Sequence, residues 1–125
     1  MNEHVHIIWQ VKGKIEINDV VTSFKKYTGR KIVKYLQLNN EVYLEYFLSG
    51  RFDRDFKIWK IKSKNIKIIH PDILIQKINY IHYNPVKAGY ESINKPEDYY
   101  SSSAIFYAEG KTNFNFLTSY LCLLS

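Results

Sequence analysis

Proline occurs three times in this chain, at positions 71, 85 and 96. A ring that locks φ and removes an N–H decides where helices can start and stop, so these positions partition the C-terminal half. Pro71 suits the first helical residue, where no N–H partner is needed. Ile73, Leu74, Lys77, Ile78 and Ile81 then predict a helix reaching about Tyr83. Asn84-Pro85 is expected to end it, because a residue before proline disfavours the helical region. Lys95-Pro96-Glu97-Asp98 reads as a turn. Ser102–Glu109 reads as a short helix stopped by Gly110, and the apolar tail from Phe114 to Leu124 is expected to dock.

The N-terminal half has no proline, and other signals set its elements. Val5-His6-Ile7-Ile8-Trp9-Gln10-Val11 is β-prone and roughly alternating, which predicts a strand with Val5, Ile7, Trp9 and Val11 on one side. Asn18 can cap a helix with Asp19 in its first turn. Val20, Val21, Phe24, Tyr27, Ile32, Tyr35 and Leu36 recur at helical spacing behind it, with Gly29 as a weak point. A second, shorter helix is expected across Glu41–Leu48, near Gly50. Residues 51–69 interleave basic and apolar side chains and read as short strands followed by a basic loop. No repeat, low-complexity tract or Pro/Gly/Ser linker breaks the chain, so residues 1–125 read as one domain.

Composition excludes several classes. One cysteine, Cys122, rules out an intramolecular disulfide framework and a cysteine-rich zinc site, and it makes a cytoplasmic setting the expectation. Runs such as Ile73-Leu74-Ile75 are far too short to span a bilayer, so no membrane is expected. Charge is uneven: residues 1–70 hold 14 basic and 7 acidic side chains, net +7, and residues 71–125 hold 4 and 5, net −1. A basic stretch beside a neutral one fits a polyanion such as nucleic acid. A lysine-rich coding bias would produce the same excess, so the charge leaves both readings open. Within the basic stretch, Arg54, Lys57, Lys60, Lys62 and Lys64 could track a phosphate backbone, while Trp59, Phe56 or Phe52 stack on bases or pack in the core.

Two constellations can carry chemistry. His4-Val5-His6 places two imidazoles on one face of a strand, where they could converge on a cation; two exposed histidines near a frayed terminus is the plainer alternative. Tyr80 and Asn84, four residues apart, share a helix face. A tyrosine hydroxyl becomes a nucleophile when its proton is withdrawn or a metal polarises its target, and an asparagine carbonyl is a hard oxygen ligand.

The stretch Tyr80-Ile81-His82-Tyr83-Asn84-Pro85-Val86-Lys87-Ala88-Gly89-Tyr90, with His4-Val5-His6 upstream, resembles the single-tyrosine transposases of the His-hydrophobic-His superfamily. The nearer likeness is to the branch associated with repetitive extragenic palindromes. Ser23-Phe24-Lys25-Lys26-Tyr27-Thr28, Gln76-Lys77-Ile78-Asn79, Pro96-Glu97-Asp98-Tyr99 and Ser101-Ser102-Ser103-Ala104 add to it, over roughly residues 1–110. The resemblance implies that His4, His6 and Asn84 hold a divalent metal, Mg²⁺ or Mn²⁺, and that Tyr80 is the nucleophile. It implies an enzyme that cuts single-stranded or hairpin DNA, joins Tyr80 to the 5′ phosphate, and transfers the strand during transposition. A homodimer is implied as the working form. The alternative is a catalytically inactive, truncated remnant that acts as a nucleic-acid-binding module.

The expected fold class is α+β: a ferredoxin-like antiparallel sheet with helices on one face. Members of the family begin well before the histidine pair. With Met1 three residues from His4, this chain is expected to lack the first strand and helix.

Overall fold

A computed structural model describes residues 3–124. Its contacts divide the chain into two units, Trp9–Asn65 on one hand and residues 3–8 with 66–124 on the other. Helices and one small antiparallel sheet make the class α+β. No helix among the described residues is long and apolar enough to cross a membrane.

The unit Trp9–Asn65 is built on α1, Ile17–Asn39. It begins ahead of Asn18: Glu16 is the capping residue, and its carbonyl accepts from the N–H groups of Asp19 and Val20. Gly29 does not split it. The half-buried stripe is Val20, Val21, Phe24, Lys25, Thr28, Ile32, Val33 and Leu36, a set at i, i+3 and i+4 spacing. Tyr27 and Tyr35, assigned to that stripe by their apolar rings, lie outside it at 64% exposure each. Lys31 Nζ instead sits 5.6 Å over the Tyr27 ring, a solvent-side cation–π contact.

Beyond α1 the segment Glu41–Phe47 winds as a 3₁₀ helix rather than an α-helix, and it buries Leu44. Strands β1, Leu48–Arg51, and β2, Arg54–Phe56, pair antiparallel with Leu48 opposite Phe56 and Arg51 opposite Arg54. That register leaves one extra residue in β1. Gly50 absorbs it at φ +62°, a left-handed conformation that costs glycine nothing. Residues 57–69 follow without regular structure. Their start is pinned to α1, because the Lys25 ammonium donates to the carbonyls of Lys60 at 2.8 Å and Ile61 at 3.1 Å.

The other unit is organised by α2, Pro71–Lys87. Pro71 opens it as expected, but Asn84-Pro85 does not close it. The bias of a residue before proline is local and modest. Here burial of the Pro85 ring outweighs it, and the helix continues one turn, with the Ala88 N–H donating to the Asn84 carbonyl at 3.0 Å. Leu74, Ile78, His82 and Pro85 form the buried stripe of α2. Against them pack the turns at Tyr90–Ser92 and Pro96–Asp98, with Pro96 and Tyr99 buried. Helix α3, Ala104–Glu109, ends at Gly110 with φ +69° and its N–H on the Phe106 carbonyl. The tail docks through Tyr107, whose hydroxyl accepts from the Tyr120 N–H at 3.2 Å and whose ring lies 5.1 Å from that of Tyr120. Helix α4 covers Leu121–Leu124.

The strand expected over Val5–Val11 is absent: these residues have no regular structure. Alternation describes a side chain's facing, but a strand also needs a neighbour for its backbone groups, and the only pairing among the described residues is β1 with β2.

His82 is a buried polar residue of α2, at 8% exposure. Its Nε2 lies 2.9 Å from Ser103 Oγ, and its ring lies 5.7 Å from that of Tyr107. Ser103→Ala strands a buried ring nitrogen and is expected to cost about 1–3 kcal/mol in urea unfolding. Burial holds the His82 imidazole below its ordinary value, with the Glu97 charge opposing. The unfolded chain therefore takes up this proton first. The contribution is complete above pH 6.5, the ordinary value, and is lost as pH falls through the lower folded-state value. Unfolding midpoints at pH 7.5 and 5.5 check the sign, the lower midpoint being expected at 5.5.

Candidate active site

The buried stripe of α2 sets the direction of its other side chains. Tyr80 stands two positions after Ile78, and Asn84 two after His82, about 200° around the helix from each buried neighbour. Both therefore face away from the core, with Tyr80 53% exposed and Asn84 half-buried. Residues 3–8 belong to the same unit. There the His6 ring centroid lies 5.9 Å from that of Tyr80, edge to face, and His6 Nε2 lies 3.1 Å from Asn84 Nδ2. The His4 ring is 4.9 Å from that of His6, again edge to face. Four side chains singled out from the sequence thus meet in one place. The histidines reach it without the expected strand.

The hydrogen bond bears on the protonation of His6. An amide NH₂ only donates, so in this arrangement His6 Nε2 is the acceptor and carries a lone pair. The electrostatics agree: partial desolvation, then the charge of His4, lowers the His6 imidazole below its ordinary value. A neutral imidazole is the form that ligates a metal. Rotating the Asn84 amide by a half turn puts Oδ1 where Nδ2 now stands, so a hard cation would meet two imidazoles and one carbonyl oxygen. Among the described residues no group of three or more His, Cys, Asp or Glu is placed to hold a metal; an amide would have to supply the third donor. The residues fit a divalent cation on chemistry.

Tyr83, the neighbouring tyrosine of α2, is 51% exposed. It lies about 300° around α2 from Tyr80 and about 100° from Asn84.

The basic candidates lie in the other unit. Trp9–Asn65 holds 13 basic and 6 acidic residues, net +7, which accounts for the whole excess of the N-terminal half. Arg54 is on β2, Lys57 follows it directly, and Lys60, Lys62 and Lys64 are exposed in the irregular segment. Trp59 is half-buried against α1. Its Nε1–H donates to Thr28 Oγ1 at 2.9 Å, and its ring lies 5.9 Å from Phe24.

Two contributors escape a sequence reading. Lys25 carries the irregular segment on its ammonium, although a helix lysine ordinarily signals only a solvated face. Ser103 partners His82 across 21 positions, a contact no local pattern encodes. No family model, curated protein or solved structure matches the chain.

Proposed function

We propose that this chain is a metal-dependent, single-tyrosine nuclease and strand transferase for single-stranded DNA. The observation that carries the reading is the convergence of His6 with Asn84 at 3.1 Å and with the Tyr80 ring at 5.9 Å. His4, His6 and Asn84 would hold Mg²⁺ or Mn²⁺. Such an ion supplies charge neutralisation and orientation of the scissile phosphate.

The chain's own residues do the rest. Tyr80, exposed beside His6, presents Oη to the phosphorus. A bond forms from Oη to the 5′ phosphate, the bond to the 3′ oxygen breaks, and the phenol loses a proton while the departing 3′ oxygen gains one. Attack by a second 3′ hydroxyl reverses these changes and restores the phenol. The phosphotyrosine bond conserves the energy, so no nucleotide cofactor enters.

In this reading the β1–β2 hairpin belongs to a ferredoxin-like sheet completed by further strands, since two strands alone are marginal. A homodimer on hairpin DNA in the cytoplasm is the working form. The test is incubation of the protein with a labelled single strand and Mn²⁺, followed by denaturing electrophoresis. A protein–DNA adduct supports the enzyme. Binding with no adduct favours a nucleic-acid-binding module that does not cut, a reading helped by the charge excess of Trp9–Asn65.

Binding is expected to weaken steeply with salt, because each neutralised phosphate releases counterions. Charge reversal at Lys57, Lys60 and Lys62 is expected to weaken it far more than reversal at Lys95 and Lys111. Those last two already face Asp98 at 3.7 Å and Glu109 at 2.8 Å. Anisotropy titrations of the two triple- and double-reversal variants distinguish a defined track from charge spread by coding bias.

A further inference from the structure

The turn between β1 and β2 is Phe52-Asp53, and the Phe52 side chain is fully in water at 104% exposure. A phenylalanine so placed gives up the burial that stabilises a fold elsewhere. Its surroundings are organised. Arg51 Nε donates to Asp53 Oδ1 at 3.1 Å, and Arg54 Nη2 donates to Asp53 Oδ2 at 3.0 Å. One carboxylate thereby holds two guanidinium groups at the turn that carries the ring. Each guanidinium has five N–H donors, so one bond to Asp53 leaves most of its donors for another acceptor. The arginine side chains are 51% and 49% exposed. The three charges sum to +1. The hydrogen bond from Arg54, aided by the charges of Arg51 and Arg54, keeps the Asp53 carboxyl below its ordinary value despite some desolvation, so the arrangement stays ionised.

The other aromatic candidates in this segment are occupied or partly covered. Trp59 is bonded to Thr28 and packed on Phe24, and Phe56 is half-buried. A bilayer anchor needs a broad apolar face on an amphipathic element, whereas this tip offers one ring between two arginines. That combination matches a nucleotide, with its flat base and flanking anionic phosphates.

We propose that the β1–β2 turn is a base-stacking tip: Phe52 lies against an unpaired base of a single-stranded nucleic acid, and Arg51 and Arg54 take phosphates beside it. This rests on the single-strand reading above but not on Tyr80 chemistry. Stacking needs no particular base, because every base has a π-face. The tip therefore contributes grip and placement of the strand, and leaves sequence choice to other residues.

The experiment uses the full chain and a short single strand carrying 2-aminopurine at successive positions, read by anisotropy and by fluorescence. The wild type is expected to bind and to change the fluorescence at one position most. Phe52→Ala is expected to bind about tenfold more weakly or worse and to lose that change, with circular dichroism unaltered because the ring packs on nothing. Phe52→Trp is expected to keep both. Arg51→Gln and Arg54→Gln are each expected to reduce the salt slope by about 0.7. If Phe52→Ala binds as tightly as the wild type, the stacking tip is wrong while the single-strand reading stands. If the wild type binds no single strand, both fall. Phe52-dependent capture on vesicles of phosphatidylcholine and phosphatidylserine, with DNA binding untouched, would overturn the proposal in favour of a lipid surface.

Discussion

Tyr80→Phe is expected to abolish the covalent protein–DNA adduct of the proposed reaction and to leave folding and DNA affinity at wild-type levels. The substitution removes one exposed oxygen from a side chain that is 53% in solvent, so packing has little to lose. Tyr83→Phe, by contrast, is expected to leave the adduct intact. The two hydroxyls differ in direction around α2, and only Tyr80 stands one turn from Asn84 with its ring against His6. Nucleophilic displacement demands the attacking oxygen in line with the leaving one, and a group about 100° away on the helix cannot meet that demand. Mass spectrometry of the adduct peptide checks the assignment directly. An adduct on Tyr83, or one that persists in Tyr80→Phe, would overturn it.

The second large effect concerns the metal. If the proposed site holds Mn²⁺, a concentration a hundredfold above Kd is expected to add about 2.7 kcal/mol to the folded state, a rise of several degrees in Tm for a chain of this size. His6→Ala is expected to remove that rise and the metal-dependent cleavage together, because His6 touches His4, Tyr80 and Asn84 alike. His4→Ala removes one ligand at the edge of the cluster and is expected to weaken binding rather than erase it. A wild type whose Tm is indifferent to Mn²⁺ and Mg²⁺ would sink the metal assignment.

What could be read from the sequence follows the range of the forces involved. Pro71 and Gly110 act within one turn, and both mark their helix ends correctly. Pro85 acts locally too, but its ring is buried, and packing decided the outcome against the local bias. The alternation of Val5–Val11 is real, yet a strand depends on a partner at no fixed distance along the chain. The same limit hid the His82–Ser103 contact. For the candidate site, the residue types and the helical spacing of Tyr80 and Asn84 can be read from the sequence, whereas their meeting with His6 cannot. The contact of Trp59 with Thr28 cannot be read there either, because it joins residues 31 positions apart.

The hydrogen bond between Asn84 and His6 joins residues 78 positions apart, and this has a consequence during synthesis. At 5–20 residues per second, a ribosome needs roughly 4–16 s to advance from His6 to Asn84. Throughout that interval both imidazoles are out of the ribosome or in its tunnel with nothing to complete them. The whole of Trp9–Asn65 is made before Asn84 and leaves the ribosome ahead of it. A nascent chain stopped anywhere before Asn84 thus carries the histidine pair without its Asn84 partner, and that contact forms late, after the basic unit has been made.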